Sequence, residues 1–228
     1  MPATRLDRLS VIIPTLNAGA GLSTTLASVD GAGEVIVVDG GSSDGGPALA
    51  AAAGATVLMS RAGRGVQLAA GADAATGDWF LFLHSDTGLA DGWRGAVSDH
   101  MQSGGAAPRA GYFRFALDDA GWRARLLERL VAWRCALLAL PYGDQGLLIS
   151  RDHYEQIGGY RDLALMEDVD LVRRIGRGHL AALPVAAVTS AVRWRRDGWL
   201  RRSLRNLSCL ALYAVGVSPA RIARLYER

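Results

Sequence analysis

Four short runs of unbroken apolar residues, SVIIP (10–14), EVIVVD (34–39), TVLMS (56–60) and DWFLFLH (78–84), recur with helix-length intervals between them. Continuous rather than alternating apolarity is what a strand needs when both of its faces are covered. Helices are expected between these runs, at about 20–29, 44–53 and 64–76, the second with Ser43 or Asp44 as its N-cap. Strand–helix alternation of this kind predicts an α/β fold with a mostly parallel sheet and right-handed crossovers. Ligands of such sheets bind outside the carboxyl ends of the strands. Polar signatures stand at three of those ends: PTLN after the first run, DGGSSDG after the second and HSDT after the fourth.

Beyond residue 90 the pattern loosens. A helix is expected at 91–102, a strand at 110–116, and a strongly amphipathic helix at about 121–139 with arginines on one side. A strand GLLIS (146–150) follows, then a short helix after Arg151 closed by Gly158 and Gly159, and another helix from about Met166. The remainder reads as a strand near 185–192, a helix at about 198–215, and a last helix opened by Ser218 and Pro219. With no repeat and no low-complexity linker, residues 1–192 read as one domain and 193–228 as a basic helical extension.

Half of the 228 residues are hydrophobic, which excludes a disordered chain and allows a substantial core. All 25 basic residues are arginine, a coding bias expected of a GC-rich bacterial genome. Nine arginines against two acids give residues 193–228 a net charge of +7, leaving the rest at −4. Such a tail suits an anionic surface or partner, or a helix face in water. Cys135 and Cys209 stand in apolar helical stretches without metal or redox spacing, so buried thiols are expected. The N-terminus MPATRLDRLS has no signal-peptide pattern and no uncharged run is long enough to span a bilayer, so a cytoplasmic protein is expected.

Three acidic positions carry the chemistry. Asp39 ends a strand before GGSS, where its carboxylate suits a base or ribose, or simply closes a tight turn. Asp86 in HSDT can hold a divalent metal that screens a diphosphate, with His84 facing the ligand rather than coordinating. Glu167 and Asp168 in MEDVDL stand at a helix start, where acids also serve as caps. The apolar residues around them suggest partial burial, which moves a carboxylate toward useful basicity. Glu167 and Asp170 share a helix face, and Asp168 points elsewhere. No serine elbow, HExxH pair or GxxxxGK loop is present.

Taken together, SVIIPTLNAGAGLSTTLASV, VIVVDGGSSDG, GRGVQLAAGADAATGDWFLFLHSDT and GDQGLLISRDHYEQIGGYRDLALMEDVDLVRRI resemble the family-2 glycosyltransferases of the GT-A fold over about residues 9–176. Within that family the chain is most similar to a small bacterial branch associated with radical-SAM genes and arsenosugar biosynthesis. The resemblance implies that Pro14, Thr15, Asn17, Asp39, Arg64 and Ser85 bind the nucleotide and that Asp86 closes a DxD-like metal motif for Mg²⁺ or Mn²⁺. It implies Asp168 as the base that deprotonates the acceptor, with Asp144, Gln145 and Glu167 on the acceptor side. Gly40, Ala69 and His84 depart from the family pattern, and no QxxRW motif follows Asp168. The implied reaction is inverting transfer from a nucleoside-diphosphate sugar, UDP-sugar favoured, to a small-molecule or lipid-linked acceptor. A sugar-nucleotide nucleotidyltransferase and a non-catalytic nucleotide-sugar binder are the alternatives. A nucleic-acid partner is not expected; peripheral membrane contact or a homodimer through the C-terminal helices is.

Overall fold

The computed structural model describes residues 6–103 and 109–226. The first five residues of the N-terminal stretch, and Glu227 and Arg228 of the tail, lie outside them. The strands are β1 Leu6–Thr15, β2 Ala32–Asp39, β3 Thr56–Met59, β4 Trp79–Phe82, β5 Thr87–Leu89, β6 Ala110–Leu117, β7 Leu147–Ser150 and β8 Leu180–Thr189. The helices are α1 Gly19–Ser28, α2 Gly46–Ala52, α3 Arg64–Ala74, α4 Trp93–Gln102, α5 Trp122–Leu138, α6 Arg151–Gln156, α7 Glu167–Ile175, α8 Val192–Asp197, α9 Trp199–Ala214 and α10 Pro219–Tyr226.

All eight strands form one sheet in the order β3-β2-β1-β4-β7-β6-β8-β5. The sheet is mixed. Its first four strands run parallel, as the strand–helix alternation predicts, while β7 is antiparallel to both β4 and β6, and β5 is antiparallel to β8. Because β6 and β8 point the same way as β1, one edge of the sheet collects the carboxyl ends of β1, β2, β4, β6 and β8. The amino end of the antiparallel β7 joins them there.

Both faces of the sheet are covered, and the side chains alternate between them. Val11, Ile13, Val37, Leu81 and Leu83 pack with Leu22, Leu26, Trp93 and Val97 of α1 and α4. Ile12, Ile36, Val38, Phe80 and Phe82 pack on the other side with Leu68 and Ala72 of α3 and Leu171 and Ile175 of α7. This period-two division is why the runs are apolar without interruption.

Three expectations are corrected, and two short elements are added. The last strand starts at Leu180 rather than near 185; its LAALPVAAVT sequence is alanine-rich and holds Pro184, a poor strand signal. Its ladder with β6 shifts register between Tyr112 and Arg114, opposite Pro184. The three-residue β5 and the six-residue α8 give no periodicity to read. The N-cap of α2 is Gly45, at a φ of 76°, in place of Ser43 or Asp44; the Asp44 carboxylate instead accepts from the N–H of Gly46 and of Gly19. Finally, α5 is not divided into one apolar and one arginine side: Val131 and Cys135 are buried while Leu130 and Trp133 are exposed.

Candidate active site

The carboxyl edge of the sheet carries two groups of residues. The first surrounds the loop after β2. Asp39 is fully buried, and its Oδ2 accepts from the N–H groups of Gly41 and Ser42, both at 2.8 Å, while its Oδ1 accepts from the Ser42 hydroxyl. Burial opposes ionisation there, but these hydrogen bonds outweigh it and hold the carboxyl below its usual range. Asn17, in the left-handed region at a φ of 50°, accepts the Ser43 N–H at 2.9 Å and gives its own N–H to the Ser42 hydroxyl. The side-chain amide of buried Gln67 donates to the carbonyls of Thr15 and Val38, clamping β1 to β2. Asp39 therefore shapes its own loop, as the turn reading of GGSS expects. Pro14 and Thr15 are buried at the end of β1, and the Thr15 hydroxyl has no hydrogen-bond partner among the described residues.

The second group lines an open, solvent-connected cleft at the same edge of the sheet. Arg64, His84, Asp86, Asp144 and Asp168 meet in it. Of the sequence-expected residues, then, Arg64, Asp86, Asp144 and Asp168 come together. Pro14, Thr15, Asn17, Asp39, Ser85, Gln145 and Glu167 do not line this cleft. Ser85 is half-buried, its carbonyl against the close approach of α1 at Gly21.

Asp168 opens α7 after Met166, whose φ of 67° turns the chain sharply into the helix. One Asp168 oxygen accepts the Gly143 N–H at 2.9 Å and the other the Val169 N–H at 2.7 Å. Gly143 has to be a glycine: a Cβ there would stand 2.5 Å from His84 Nε2 and 3.4 Å from Asp168 Oδ2. Burial, then the charge of Arg64, pushes the His84 imidazole down to about 4, so it is neutral at pH 7. Glu167 is 1% exposed and lies behind the cleft, 2.7 Å from Arg64 Nε. Burial raises its carboxyl, with Arg64 pulling the other way. Gln145 is consumed by the fold: its side-chain oxygen accepts from Arg134 and the Cys135 thiol, and its nitrogen donates to the Phe113 carbonyl. Asp170 likewise pairs with Arg174 and Arg161.

Asp144 differs from these. Its Oδ1 is buried without a hydrogen-bond partner among the described residues. Burial lifts its carboxyl to about 6; Arg134 works against that, and the Asp168 and Asp86 charges add to it. A carboxyl whose folded value lies above its unfolded one holds its proton more tightly in the folded chain. Its contribution to stability is therefore full below about 4 and lost as pH rises through about 6. Asp144→Asn is expected to stabilise the free chain at pH 7 by about 3 kcal/mol, the advantage growing between pH 4 and 6. Denaturant melts of both chains across that window check it, and parallel pH profiles would contradict it.

The sequence reading missed the far wall of the cleft. Thr189, Ser190, Arg193, Arg202, Asn206 and Tyr226 line it, and Arg193 reaches within 3.7 Å of Asp86. The available signal was positional, an arginine just beyond a strand end, and local pattern does not show which edge of the sheet that end joins.

A family model described as glycosyl transferase family 2 matches residues 10–137. Among solved structures, the chain is similar to glucosyl-3-phosphoglycerate synthase from Mycobacterium tuberculosis in complex with Mn²⁺, UDP and glucosyl-3-phosphoglycerate. The identity is 24%, over 80% of this chain and 70% of that one, with a TM-score of 0.52. It is also similar to the mannosyltransferase PcManGT from Pyrobaculum calidifontis in complex with GDP-Man and Mn²⁺, at 18% identity over 96% of this chain and 68% of that one, with a TM-score of 0.62. No curated protein matches. These likenesses bear out the α/β GT-A fold with its helical C-terminal extension. They correct the finer placement in the arsenosugar branch: the likeness found runs to a glucosyl-3-phosphoglycerate synthase rather than to that branch.

Proposed function

The chain belongs to glycosyl transferase family 2, and from that premise we propose that it transfers a sugar, with inversion, from a nucleoside-diphosphate sugar to a small-molecule or lipid-linked acceptor. One observation carries the reading: the Asp86, Asp144 and Asp168 carboxylates meet Arg64 and Arg193 in a single cleft at the carboxyl edge of the sheet. A departing diphosphate needs fixed positive charge, and an attacking hydroxyl needs a base within hydrogen-bond reach.

In this reading Arg64 and Arg193 face the diphosphate. Asp168, its two oxygens oriented by backbone N–H groups, takes the acceptor proton as the acceptor oxygen attacks the anomeric carbon. Asp144 holds the acceptor through its unpartnered oxygen. Glu167 acts through Arg64, keeping that guanidinium charged and aimed. Pro14, Thr15, Asn17, Asp39 and Ser85 form the nucleotide side, Asp39 by shaping the loop whose backbone meets the base or ribose. Gln145 holds the acceptor side in place from behind.

The metal question turns on the donor set. Among the described residues no cluster of three or more His, Cys, Asp or Glu is poised to cage an ion. A hard divalent ion that arrives with a diphosphate needs only one or two protein ligands and keeps its waters. Asp86 fits that requirement, with the neutral His84 beside it. Mg²⁺ or Mn²⁺ held there would neutralise charge on the leaving diphosphate.

The solved structures of the two similar enzymes hold UDP in one case and GDP-Man in the other, and UDP-sugar is favoured because it accompanies the higher identity. Residues 1–192 form the transferase domain, and 193–228 add its far wall. We place the enzyme in the bacterial cytoplasm, its tail against lipid or a second copy. Thermal-shift measurements with UDP-, GDP- and dTDP-sugars, with and without Mg²⁺ or Mn²⁺, test the reading. At about a hundredfold excess over Kd, a true donor stabilises by about 2.7 kcal/mol. Absence of any shift with all three would remove the proposal.

A further inference from the structure

The helix α5 is apolar on two opposite sides. At about 100° per residue, Ala124, Leu127, Val131 and Cys135 fall on one side, where they pack with Phe115 and Leu117 of β6. Trp122, Leu126, Leu130, Trp133 and Leu137 fall within about 80° of one another on the other side, and all five are exposed, the two indoles at 70% and 68%. A helix apolar all round belongs in a core or a membrane. Exposed apolar surface of this extent marks a contact site. The same design recurs in α9: Arg202, Asn206 and Cys209 face the cleft, while Leu200, Leu204 and Leu207 are exposed on the opposite side, Leu200 at 72%. Trp199 at the start of α9 packs with α5 in one cluster.

The charges around these stripes choose the occupant. Arg123 lies on one flank of the α5 stripe and Arg129 on the other; Arg201 flanks the α9 stripe. The acid of α5, Glu128, is turned inward, where it accepts the Leu117 N–H and pairs with Arg125. Residues 198–226 contain no acid at all. A second copy of this chain, docked about a two-fold axis, would set these arginines against their own kind. An anionic lipid surface offers what the face lacks: negative charge at headgroup depth beside the arginines and hydrocarbon under the leucines, with tryptophan at the boundary.

We propose that the exposed stripe of α5 docks this enzyme on an anionic bilayer surface. The docking is peripheral, since among the described residues no helix is long and apolar enough to cross a membrane.

Co-sedimentation of the full chain with phosphatidylcholine vesicles, and with equimolar phosphatidylcholine and phosphatidylglycerol, is the test, alongside light scattering for oligomeric state. Binding is expected only to the anionic vesicles, weakened by high salt. It is expected to fall at least about tenfold in a Leu130→Glu, Trp133→Glu double variant, since two large apolar side chains lose their burial. No binding to anionic vesicles, equal binding to both kinds, or an unaffected double variant would overturn the proposal. So would a solution dimer that the double variant splits. The vesicle-composition and salt arms use the unaltered chain, so they decide even if the variant misfolds. None of these readouts needs donor or turnover, so their failure leaves the proposed glycosyl transfer standing.

Discussion

Asp168→Asn is expected to lower kcat by about two to four powers of ten while donor affinity stays within a few-fold. The substitution keeps the shape of the side chain and removes its ability to accept a proton. Geometry makes the test sharp. Each Asp168 oxygen accepts a backbone N–H, from Gly143 and from Val169, and an amide can satisfy one of these with oxygen while its nitrogen faces the other. The structural cost of that mismatch is about 1 kcal/mol, far short of the expected kinetic loss. Nucleotide affinity by calorimetry and turnover with saturating donor separate the two effects. Turnover within tenfold of the unaltered enzyme would take the proton-accepting role from Asp168. It would hand that role to Asp144, whose carboxyl is lifted to about 6 in the same cleft.

The second large effect belongs to the ion pair behind the cleft. Glu167 is 1% exposed, and Arg64 lies 2.7 Å from it. Arg64→Ala strands a buried carboxyl without its cation. Loss of one partner of a buried pair costs about 3–5 kcal/mol. The Arg64 side chain is 40% exposed, so a value below that range, about 2–3 kcal/mol, is expected after allowance for water. In a chain of this size the melting temperature falls by about 6–8 °C. Burial already raises the Glu167 carboxyl, so the variant should recover stability as pH is lowered and Glu167 takes up its proton. Adding Glu167→Gln should restore stability at neutral pH without restoring transfer. If the single and double variants melt alike, the pair is not what holds α3 to α7. Gly65 shows how closely α3 meets this region: a Cβ there would clash with the Arg161 carbonyl in the loop before α7 and stand 3.4 Å from Glu167 Cβ.

The contrast between Asp39 and Asp168 shows how unevenly a sequence displays a site. Both were read from their segments as ligand-facing acids. The fold spends Asp39 on its own loop, where three hydrogen bonds take up its carboxylate, and brings Asp168 into the open cleft. Gln145 and Asp144 are adjacent in YGDQG, yet one is locked into the Arg134–Cys135–Phe113 network while the other keeps an unpartnered oxygen.

What the sequence determined by itself was whatever depends on short-range pattern. The continuous apolar runs made β1 to β4 a covered, parallel set, because each strand has two buried faces. Strand-end polarity then marked the edge where Asp86 would face a ligand, while Asp168 was read from its place at a helix start. The reversal at β7, the bulge in β8 at Pro184, and the return of Arg193 and Arg202 to the cleft were decided only in three dimensions. Those features depend on pairings between residues far apart in the chain, and no local periodicity encodes them. The α5 helix is the clearest case: its two apolar sides look alike in the sequence, and only the packing of β6 against one of them leaves the other bare.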